Sequence, residues 1–378
     1  MLSGSFEKIL KDQKCRLSCI SYIIIMVKKK FTAKEVMQKI LCCFFSLLVA
    51  ASWIFPTATG RQKSEKNVLF MWWNIENLFD TSNDDRTDDE DFTPTGKLQW
   101  SEKKLLLKQM RIRHVITAVE AHPDYRKYPD VLACAEVENQ RLFEATLSGI
   151  QGIYYKTIYY ESSDPRGIDI ALAWNPKTLR AGASKAYTVP LASRRTRKII
   201  VASFSADGHP FHVILNHWPS RSFDTGWTEP KRIAAATVAR HILDSLLVGN
   251  PKADIVVMGD FNDEASNNSL KEVLGSTFDA ESVKADNRRF LYNCWSGYEG
   301  IGSYFFNNHW QQIDHILLTG GMLDRLGLHA SKESFRCFWF PPMLDDNGKK
   351  PYPTYEKRKY KGGYSDHLPL ILRTLIAN

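Results

Sequence analysis

The segment from Val256 to Asp263 constrains the fold more than any other stretch of the chain. Its sequence is VVMGDFND, so a short apolar run ends in a glycine, an acid, an aromatic residue and an amide. Such a run predicts a buried strand, and residues two apart in extended chain point to the same side. The strand would therefore deliver the carboxylate of Asp260 and the carboxamide of Asn262 to one point.

Other predicted strands are followed by polar side chains in the same way. These side chains are Asn74 and Glu76 after one strand, Glu136 after another, His217 after a third, and Asp366 and His367 near the C-terminus. Acids, amides and imidazoles at so many strand ends indicate a metal-assisted site for cutting phosphate esters.

The net charge of +8 does not by itself indicate nucleic-acid binding, because of where the charge lies. The first 66 residues hold 12 Lys and Arg against 4 Asp and Glu, which accounts for the whole excess. Residues 67 to 378 have no net charge, so they lack the overall positive charge that indicates nucleic-acid binding. A local basic groove remains an open alternative. A hydrophobic content of 44% and a charged content of 24% are typical of a soluble globular protein.

The first 66 residues have the layout of an export signal. Lysines between 28 and 39 precede an apolar run from Ile40 to Phe55, and small residues close that run. The run is short for a spanning helix, which favours a cleaved signal peptide at about 26 to 58 over a retained N-terminal membrane anchor. A short linker follows. Because Met26 precedes three lysines, residues 1 to 25 are predicted to be a mis-assigned start. We expect the protein to be periplasmic or secreted.

The cysteines predict neither a disulfide framework nor a zinc site. Four of the seven lie in the leader, and the other three are Cys134, Cys294 and Cys337. They are scattered and include no CxxC spacing.

Residues 67 to 378 alternate short apolar runs with two helical patterns. One helix is predicted from about 101 to 121, and a second begins at Thr228-Glu229-Pro230, where proline suits a first turn. Strands are predicted at 68–73, 130–135, 154–159, 168–174, 198–203, 211–215, 255–258, 313–318 and 368–372. The pattern indicates two packed sheets flanked by helices. Because the candidate site residues come from both ends and the middle of this stretch, one domain is favoured over two.

Cleavage of a phosphodiester needs a cation over the non-bridging oxygens, a base for water and a donor for the leaving oxygen. Glu136, expected just past an apolar strand, is placed to hold Mg²⁺, an ion that asks for few protein ligands. Asn74 and Glu76 are expected to complete the metal shell. Each residue taken alone also has an explanation without a metal: a glutamate after a strand is usually solvated at the surface, and an asparagine there can close a turn.

Two acids interrupt apolar strands and offer partners for two histidines. Asp169 lies in one such strand and Asp314 in another, and a buried carboxylate is costly unless it is paired. Pairing His217 with one acid and His367 with the other would fix each ring and favour its protonated form. A lone histidine is more often structural, so the prediction depends on the pairs.

Taken together, these motifs resemble the endonuclease/exonuclease/phosphatase superfamily. They are Asn74-Ile-Glu76, Glu136, Arg166-Gly-Ile-Asp169, Asn216-His217-Trp-Pro-Ser-Arg221, Gly-Asp260-Phe-Asn262-Asp, Ile-Asp314-His and Ser-Asp366-His367. They occur in the superfamily's order over nearly all of residues 68 to 374. The sequence motif Asn74-Ile-Glu-Asn-Leu-Phe-Asp80 is most similar to the sequences of the bacterial exported nuclease-like branch.

The resemblance implies a four-layer α/β/β/α sandwich, with two mainly antiparallel sheets, and divalent-metal phosphoester hydrolysis. Glu136 would be the principal metal ligand, and Asn74, Glu76 and Asp366 would lie in or next to the shell. His367, oriented by Asp314, would activate water, while His217, paired with Asp169, would bind the scissile phosphate. Asp260 and Asn262 would position the nucleophile and the phosphate. The ion would be Mg²⁺ or Mn²⁺, with Ca²⁺ possible.

The substrate is less constrained than the site, because one fold hosts many substrates. Arg166 and Arg221 are candidate phosphate clamps or structural ion-pair residues, and Asn216 is a candidate substrate-binding residue. The segment from Cys337 to Gly363 interleaves basic and aromatic residues, which suits either a nucleic-acid strand or packing on the sheet.

We expect an exported metal-dependent phosphodiesterase, foremost an endonuclease with nucleic acid as substrate. The alternative is a phosphoesterase for a lipid headgroup, an inositol phosphate or another small phosphate ester. An inactive binding protein on the same fold is disfavoured by the intact acid and histidine set. No obligate protein partner is indicated.

Overall fold

The structure is a computed structural model that describes residues 66–192, 195–221 and 225–377. The predicted leader therefore lies outside the described residues, apart from Lys66. No helix within the described ranges is both long enough and apolar enough to cross a membrane.

Short strands are the most numerous elements of the described chain. In chain order they are β1 Asn67–Leu78, β2 Val131–Val137, β3 Lys156–Tyr159, β4 Asp169–Trp174, β5 Leu179–Tyr187, β6 Ile199–Ala206, β7 His209–His217, β8 Ile255–Asp260, β9 Ser276–Thr277, β10 Leu291–Asn293, β11 Tyr304–Phe306, β12 His309–Gln311, β13 Asp314–Leu318, β14 Leu328–His329, β15 Phe335–Cys337, β16 Tyr355–Glu356, β17 Lys359–Tyr360 and β18 Leu370–Ile376.

The helices are fewer. They are α1 Glu102–Ala121, α2 Gln140–Ser148, α3 Thr225–Gly249 and α4 Ala280–Ala285, with short irregular turns of helix at Glu90–Phe92, Ser269–Leu274, Gly320–Leu323, Lys332–Ser334 and Pro341–Met343.

Two seven-stranded sheets form the centre of the fold. The first has the order β14-β18-β1-β2-β4-β3, with β15 also paired to β18, and the second has the order β5-β6-β7-β8-β13-β10-β9. Neighbours are mainly antiparallel, and the parallel pairs are β1 with β2, β7 with β8, and β9 with β10. Two short hairpins, β11–β12 and β16–β17, stand apart from both sheets.

The alternation of side chains along the strands produces the layers. On β8, Val256 and Met258 join the core that the first sheet also lines, whereas Ile255 and Val257 join the cluster around α3. This is the period of two expected of a strand buried on both faces. Helix α1 covers the other face of the first sheet, with Ile112 and neighbouring apolar residues fully buried. The predicted four-layer α/β/β/α sandwich is confirmed.

Helix α3 begins earlier than the sequence predicted. It begins at Thr225, so Pro230 lies inside the helix instead of in its first residues. A proline there removes one backbone donor, a cost that is offset because Ala235, Ala236 and Ala239 are buried against the second sheet.

Two predicted strands continue past the residues expected to follow them. β1 extends to Leu78 and β2 to Val137, so Asn74, Glu76 and Glu136 lie inside strands and not beyond their ends.

A buried ion pair fastens α3 to the segment that follows β8. Nε of Arg232 lies 2.7 Å from Oδ2 of Asp263, and both side chains are almost fully buried. The hydroxyl of Ser269 donates to the same carboxylate oxygen at 2.6 Å. Because Asp263 directly follows Asn262, this pair holds the chain that carries two of the predicted site residues.

We expect Arg232→Met to lower the free energy of unfolding by about 3–5 kcal/mol, because the variant leaves a buried carboxylate without its cation. Urea unfolding followed by circular dichroism measures the loss. The matched control is Arg336→Met, whose pair with Asp124 is about half exposed, so the loss is at most about 1 kcal/mol. An equal loss of unfolding free energy in the two variants would contradict the claim that the buried ion pair stabilises the fold more than the exposed one.

Candidate active site

The second sheet places three predicted site residues in one row. β8 lies between β7 and β13, and the register sets both His217 and Asp314 opposite Asp260. All three lie at strand ends and are 5% exposed or less. Residues far apart in sequence therefore meet because their strands are in register.

Glu136 enters the site from the first sheet through a bulge in β2. Its two neighbours pair with Ile170 and Asp169, which are consecutive in β4, so Glu136 is the extra residue. Its φ of 65° lies in the left-handed region, a strained conformation for a residue with a side chain. The bulge interrupts the alternation of the strand, and the Glu136 side chain lines the cavity between the sheet ends.

Asn74 connects the two sheets. Its amide nitrogen donates to Oε1 of Glu136 at 3.3 Å and to Oδ2 of Asp260 at 3.1 Å. One carboxamide thus holds two acids that would otherwise repel each other.

His367 and Asp314 form the predicted pair. Nδ1 of His367 lies 2.7 Å from Oδ2 of Asp314, while the indole Nε1 of Trp72 donates to Oδ1 of the same carboxylate at 2.8 Å. Burial disfavours a charged imidazole, but the carboxylates of Asp314 and Asp366 outweigh it and hold the pKa of His367 well above its usual value. The Asp314 carboxylate therefore favours the protonated form of His367.

The predicted pair of His217 and Asp169 is wrong. The Asp169 carboxylate instead accepts the backbone N–H of Ser162 at 2.9 Å and the hydroxyl of Tyr159 at 3.2 Å. The alternation of β4 directs Asp169 to these neighbours. Among the described residues, Nδ1 of His217 is buried without a hydrogen-bond partner.

His217 faces the acids with its other nitrogen. Nε2 lies 3.7 Å from Oδ2 of Asp260 and 3.9 Å from Oε1 of Glu136. Burial, with the positive charges of Arg197 and Arg166, holds the pKa of His217 well below its usual value. The surroundings of the two histidines therefore shift their pKa values in opposite directions.

Asp260 lies close to both histidines. Its Oδ2 lies 3.7 Å from Nε2 of His217 and 3.9 Å from Nε2 of His367, and its Oδ1 accepts the backbone N–H of Asn262 at 2.9 Å. Burial, reinforced by the charge of Asp314, raises the pKa of Asp260 to about 7.

A cavity of about 570 Å³ lies over these groups. Nine of the thirteen predicted site residues line it: Asn74, Glu136, Arg166, His217, Arg221, Asp260, Asn262, Asp366 and His367. Asp314 lies behind His367, and the other three are turned elsewhere.

Glu76, predicted to be near the metal, does not line the cavity. Both its carboxylate oxygens accept backbone N–H groups, those of Thr354 at 2.6 Å and Tyr355 at 2.9 Å. Its left-handed φ of 53° follows from the irregular end of β1 and turns the side chain toward this segment. Glu76 therefore anchors a long loop, and the prediction of a metal ligand is not supported by its position.

Asn216, predicted to bind substrate, is fully buried and does not line the cavity. Its Oδ1 accepts the indole N–H of Trp218 at 3.0 Å, and its amide donates to the carbonyl of Ile214 at 3.3 Å. Both bonds are to the same chain segment, so Asn216 shapes the turn that carries His217.

The hairpin β11–β12 contributes cavity residues that the sequence did not reveal. Tyr304 packs on the ring of His367 with centroids 4.7 Å apart, and Phe306, Asn307 and Gln311 lie along the same wall. Strands of three residues give too short a pattern to be detected, so only the cluster of aromatic residues before Asp314 was available as a signal.

Comparison with known proteins decides the family. The model of the endonuclease/exonuclease/phosphatase family matches residues 69–375, which is most of the chain. The chain belongs to the endonuclease/exonuclease/phosphatase family. No curated protein matches it.

Solved structures of the family share the fold. The human Nocturnin catalytic domain with a bound sulfate anion is 18% identical, with 82% of this chain and 93% of that chain covered and a TM-score of 0.51. The Bacteroides thetaiotaomicron mannosyl-6-phosphatase Bt3783 is 13% identical, with 82% and 100% covered and a TM-score of 0.51. D. rerio TDP2 complexed with a single-strand DNA product is 13% identical, with 82% and 99% covered and a TM-score of 0.51. At these identities the likeness concerns the fold alone.

Family members are phosphoester hydrolases that generally depend on a divalent metal, and the acids of this site fit such an ion. Glu136 and Asp366 both present oxygen ligands to the cavity. Among the described residues, no cationic side chain lies within salt-bridge distance of Asp366. Burial raises the pKa of the Asp366 carboxyl and the charge of Glu136 adds to the rise, so a cation between them would relieve this repulsion.

A second group of ligand atoms fits a metal less well. Atoms of Asp260, Asp314 and His367 lie within 4.8 Å of one another. Both oxygens of Asp314 already accept hydrogen bonds, however, and the charged ring of His367 repels a cation. This group is better described as a His–Asp pair beside Asp260.

The two predicted arginines lie at the cavity wall, where each also has a structural contact. Nε of Arg166 lies 3.2 Å from Oδ1 of Asp164, and Arg221 donates to the side-chain oxygen of Gln311. A guanidinium has five N–H donors, so each arginine retains donors for a phosphate.

The basic and aromatic segment from Cys337 to Gly363 packs on the fold and does not line the cavity. Tyr352, Tyr355 and Tyr360 pack against the core. Lys350 and Lys361 both pair with Glu356. Packing on the sheet therefore accounts for the aromatic residues of this segment.

We expect Asp314→Asn to lower the pKa of His367 by at least about one unit, because it removes the negative charge that stabilises the protonated ring. The asparagine oxygen can still accept the indole N–H of Trp72, so the fold is kept. NMR titration of the ring protons in metal-free protein measures the pKa.

The matched control is Asp169→Asn, which changes a buried acid that does not contact either histidine of the site. It should leave the His367 titration unchanged. An unchanged titration in Asp314→Asn would contradict the assigned charge state of His367.

Proposed function

We propose that this protein is an exported, divalent-metal-dependent phosphodiesterase that cuts nucleic acids. One observation carries the proposal: two acids suited to a cation, a central acid, two histidines and two arginines line one cavity. The family supports phosphoester hydrolysis, and the choice of nucleic acid rests on the arguments below.

The residues suggest a division of labour around the scissile phosphate. A divalent cation, foremost Mg²⁺ or Mn²⁺, would neutralise charge on the phosphate oxygens when held by Glu136 and Asp366. Asp260, between both histidines, is placed to take a proton from the attacking water. His367 is placed to donate to a phosphoryl oxygen.

This assignment differs from the one expected from the resemblance, in which His367 was the base. The geometry favours the exchange because Asp314 holds a proton on His367, whereas His217 is uncharged. His217 then serves as an uncharged hydrogen-bond partner near the leaving oxygen, and this oxygen takes its proton from the protonated His367.

A polyanionic substrate is supported by the charges beside the acids. Arg166 and Arg221 line the main cavity and continue into a neighbouring basic cavity, as a chain of phosphates would require. The D. rerio TDP2 structure, similar in fold, holds a single-strand DNA product, so this fold can accommodate such a chain.

A small phosphate ester is the second candidate. It is favoured by the packing of residues 337–363, which removes the loop expected to grip a nucleic acid. The fold of Bacteroides thetaiotaomicron mannosyl-6-phosphatase is equally similar. A lipid headgroup or an inositol phosphate belongs to the same class.

We expect the purified protein to cut plasmid DNA, oligonucleotides and bis-nitrophenyl phosphate in the presence of Mg²⁺ or Mn²⁺. Adding EDTA should abolish this activity. His367→Ala should lower kcat/KM by about 10²–10⁴-fold, because a positioned proton donor is lost. Glu136→Gln should raise the metal concentration needed for half-maximal activity.

Glu138→Gln is the matched control. Its carboxyl lies outside the cavity and burial raises its pKa to about 8, so the side chain is mainly neutral at pH 7 and the variant should keep full activity. Hydrolysis of a sugar phosphate or sphingomyelin without any cleavage of DNA or RNA would favour the second candidate. Inactivity on every phosphate ester would refute hydrolysis altogether.

Export is proposed from the sequence of residues 1 to 66, which lie outside the described residues apart from Lys66. Expression of the full chain in a bacterium, followed by fractionation and N-terminal sequencing, tests it. A mature N-terminus near residue 58 in the periplasm or medium is expected. A full-length product in the cytoplasm would contradict export.

A further inference from the structure

A second cavity of about 370 Å³ adjoins the main one. Arg166, Ser220 and Arg221 line both cavities, so they form a common wall. The second cavity contains none of the acids assigned above to the metal or to proton transfer. It therefore adds binding surface beside the reaction centre and no further chemistry.

The lining of the second cavity is strongly basic. Arg195, Arg197 and Lys231 join the two arginines of the wall, while Asp88 and Asp164 are the acids of the lining. Asp164 is already engaged by Arg197 at 2.8 Å and by Arg166 at 3.2 Å. Among the described residues, Arg195 and Lys231 have no carboxylate within salt-bridge distance. Positive charge is thus left over for a ligand.

Buried polar atoms at the same place lack partners. Thr196 is 6% exposed and its hydroxyl oxygen has no hydrogen-bond partner among the described residues. Arg197 is 4% exposed, and its Nε is also without a partner there. Buried polar groups are normally satisfied, so these atoms leave unused hydrogen-bonding capacity in residues that line the second cavity.

An exposed indole stands at this cavity. Trp227, in the first turn of α3, is 72% exposed, although burial of so large an apolar side chain would stabilise the fold. An indole beside free cations is the combination with which proteins hold an unpaired base and its phosphate.

We propose that the second cavity binds a second phosphate group of the substrate, beside the phosphate that is cut, and that Trp227 stacks on the base next to it. The inference rests on the proposed function and narrows its substrate to nucleic acid with unpaired bases. Stacking on Trp227 requires a base that is not paired in a duplex.

Binding without turnover tests the proposal. Fluorescence anisotropy of a labelled oligothymidylate, measured with EDTA, should show that Trp227→Ala weakens binding about fivefold or more, whereas Trp227→Phe retains most of the affinity. Lys231→Ala and Arg195→Ala should each weaken binding and reduce the slope of log K against log salt concentration by about 0.7.

Matched controls are Lys156→Ala and Arg141→Ala. Both side chains are exposed and line neither cavity, so affinity and salt slope should stay unchanged. Wild-type affinity in Trp227→Ala, Lys231→Ala and Arg195→Ala would overturn the proposal.

A competition arm distinguishes the source of the second phosphate. Oligothymidylate should displace the labelled strand from wild type much better than a sugar bisphosphate does, and Trp227→Ala should reduce the difference. A sugar bisphosphate that competes as well as the oligonucleotide would overturn the assignment to nucleic acid. The proposed hydrolysis is judged separately, by cleavage of bis-nitrophenyl phosphate by wild type with metal, so either idea can fail without the other.

Discussion

The carboxylate of Asp314 is the group on which the arrangement of the site depends. It is fully buried at the start of β13, where an unpaired charge would be very costly. Trp72 from the first sheet and His367 from the segment before β18 both bond to it. One acid therefore ties the ends of both sheets to the C-terminal segment, and its need for partners fixes where His367 stands.

The main cavity of the site has a surplus of negative charge. Glu136, Asp260 and Asp366 lie close together around the cavity, and the raised pKa of Asp260 and of Asp366 shows the cost of bringing them there. A phosphodiester is also negative, so it cannot enter such a site unless the charge is compensated. A divalent cation held by the acids, together with the arginines at the wall, would supply this compensation.

The fold was predictable from the sequence to a large extent, because period-two apolar runs and one strong helix determine the layers. Within the site, the need of a buried acid for a partner predicted two His–Asp pairs, and the pairing of Asp314 with His367, which the resemblance implied, is present in the structure. The pairing of Asp169 with His217, also implied by the resemblance, is absent, because a sequence pattern does not say which of several donors lies nearest to a buried acid. Here a tyrosine hydroxyl and a backbone N–H were nearer than His217.

Backbone irregularity explains the other differences. Glu136 and Glu76 both have left-handed φ values, and strand alternation cannot predict where such residues point. One was turned into the cavity and the other toward a loop, although both follow similar apolar runs. Tyr304 escaped prediction for a different reason, since its strand is three residues long and its contact with His367 depends on tertiary packing.

The location of charge, and not its total, governs what this surface can bind. Residues 67 to 378 are neutral overall, so long-range attraction of a polyanion is weak. The fold concentrates cations along a wall shared by two cavities, and the acids assigned to the metal and to proton transfer line only one of these cavities. A substrate with one phosphate can use only part of this wall, whereas a chain of phosphates can lie along it with one group over the acids. The separation of acids from free cations is therefore the physical basis on which this site would select a long anion over a short one.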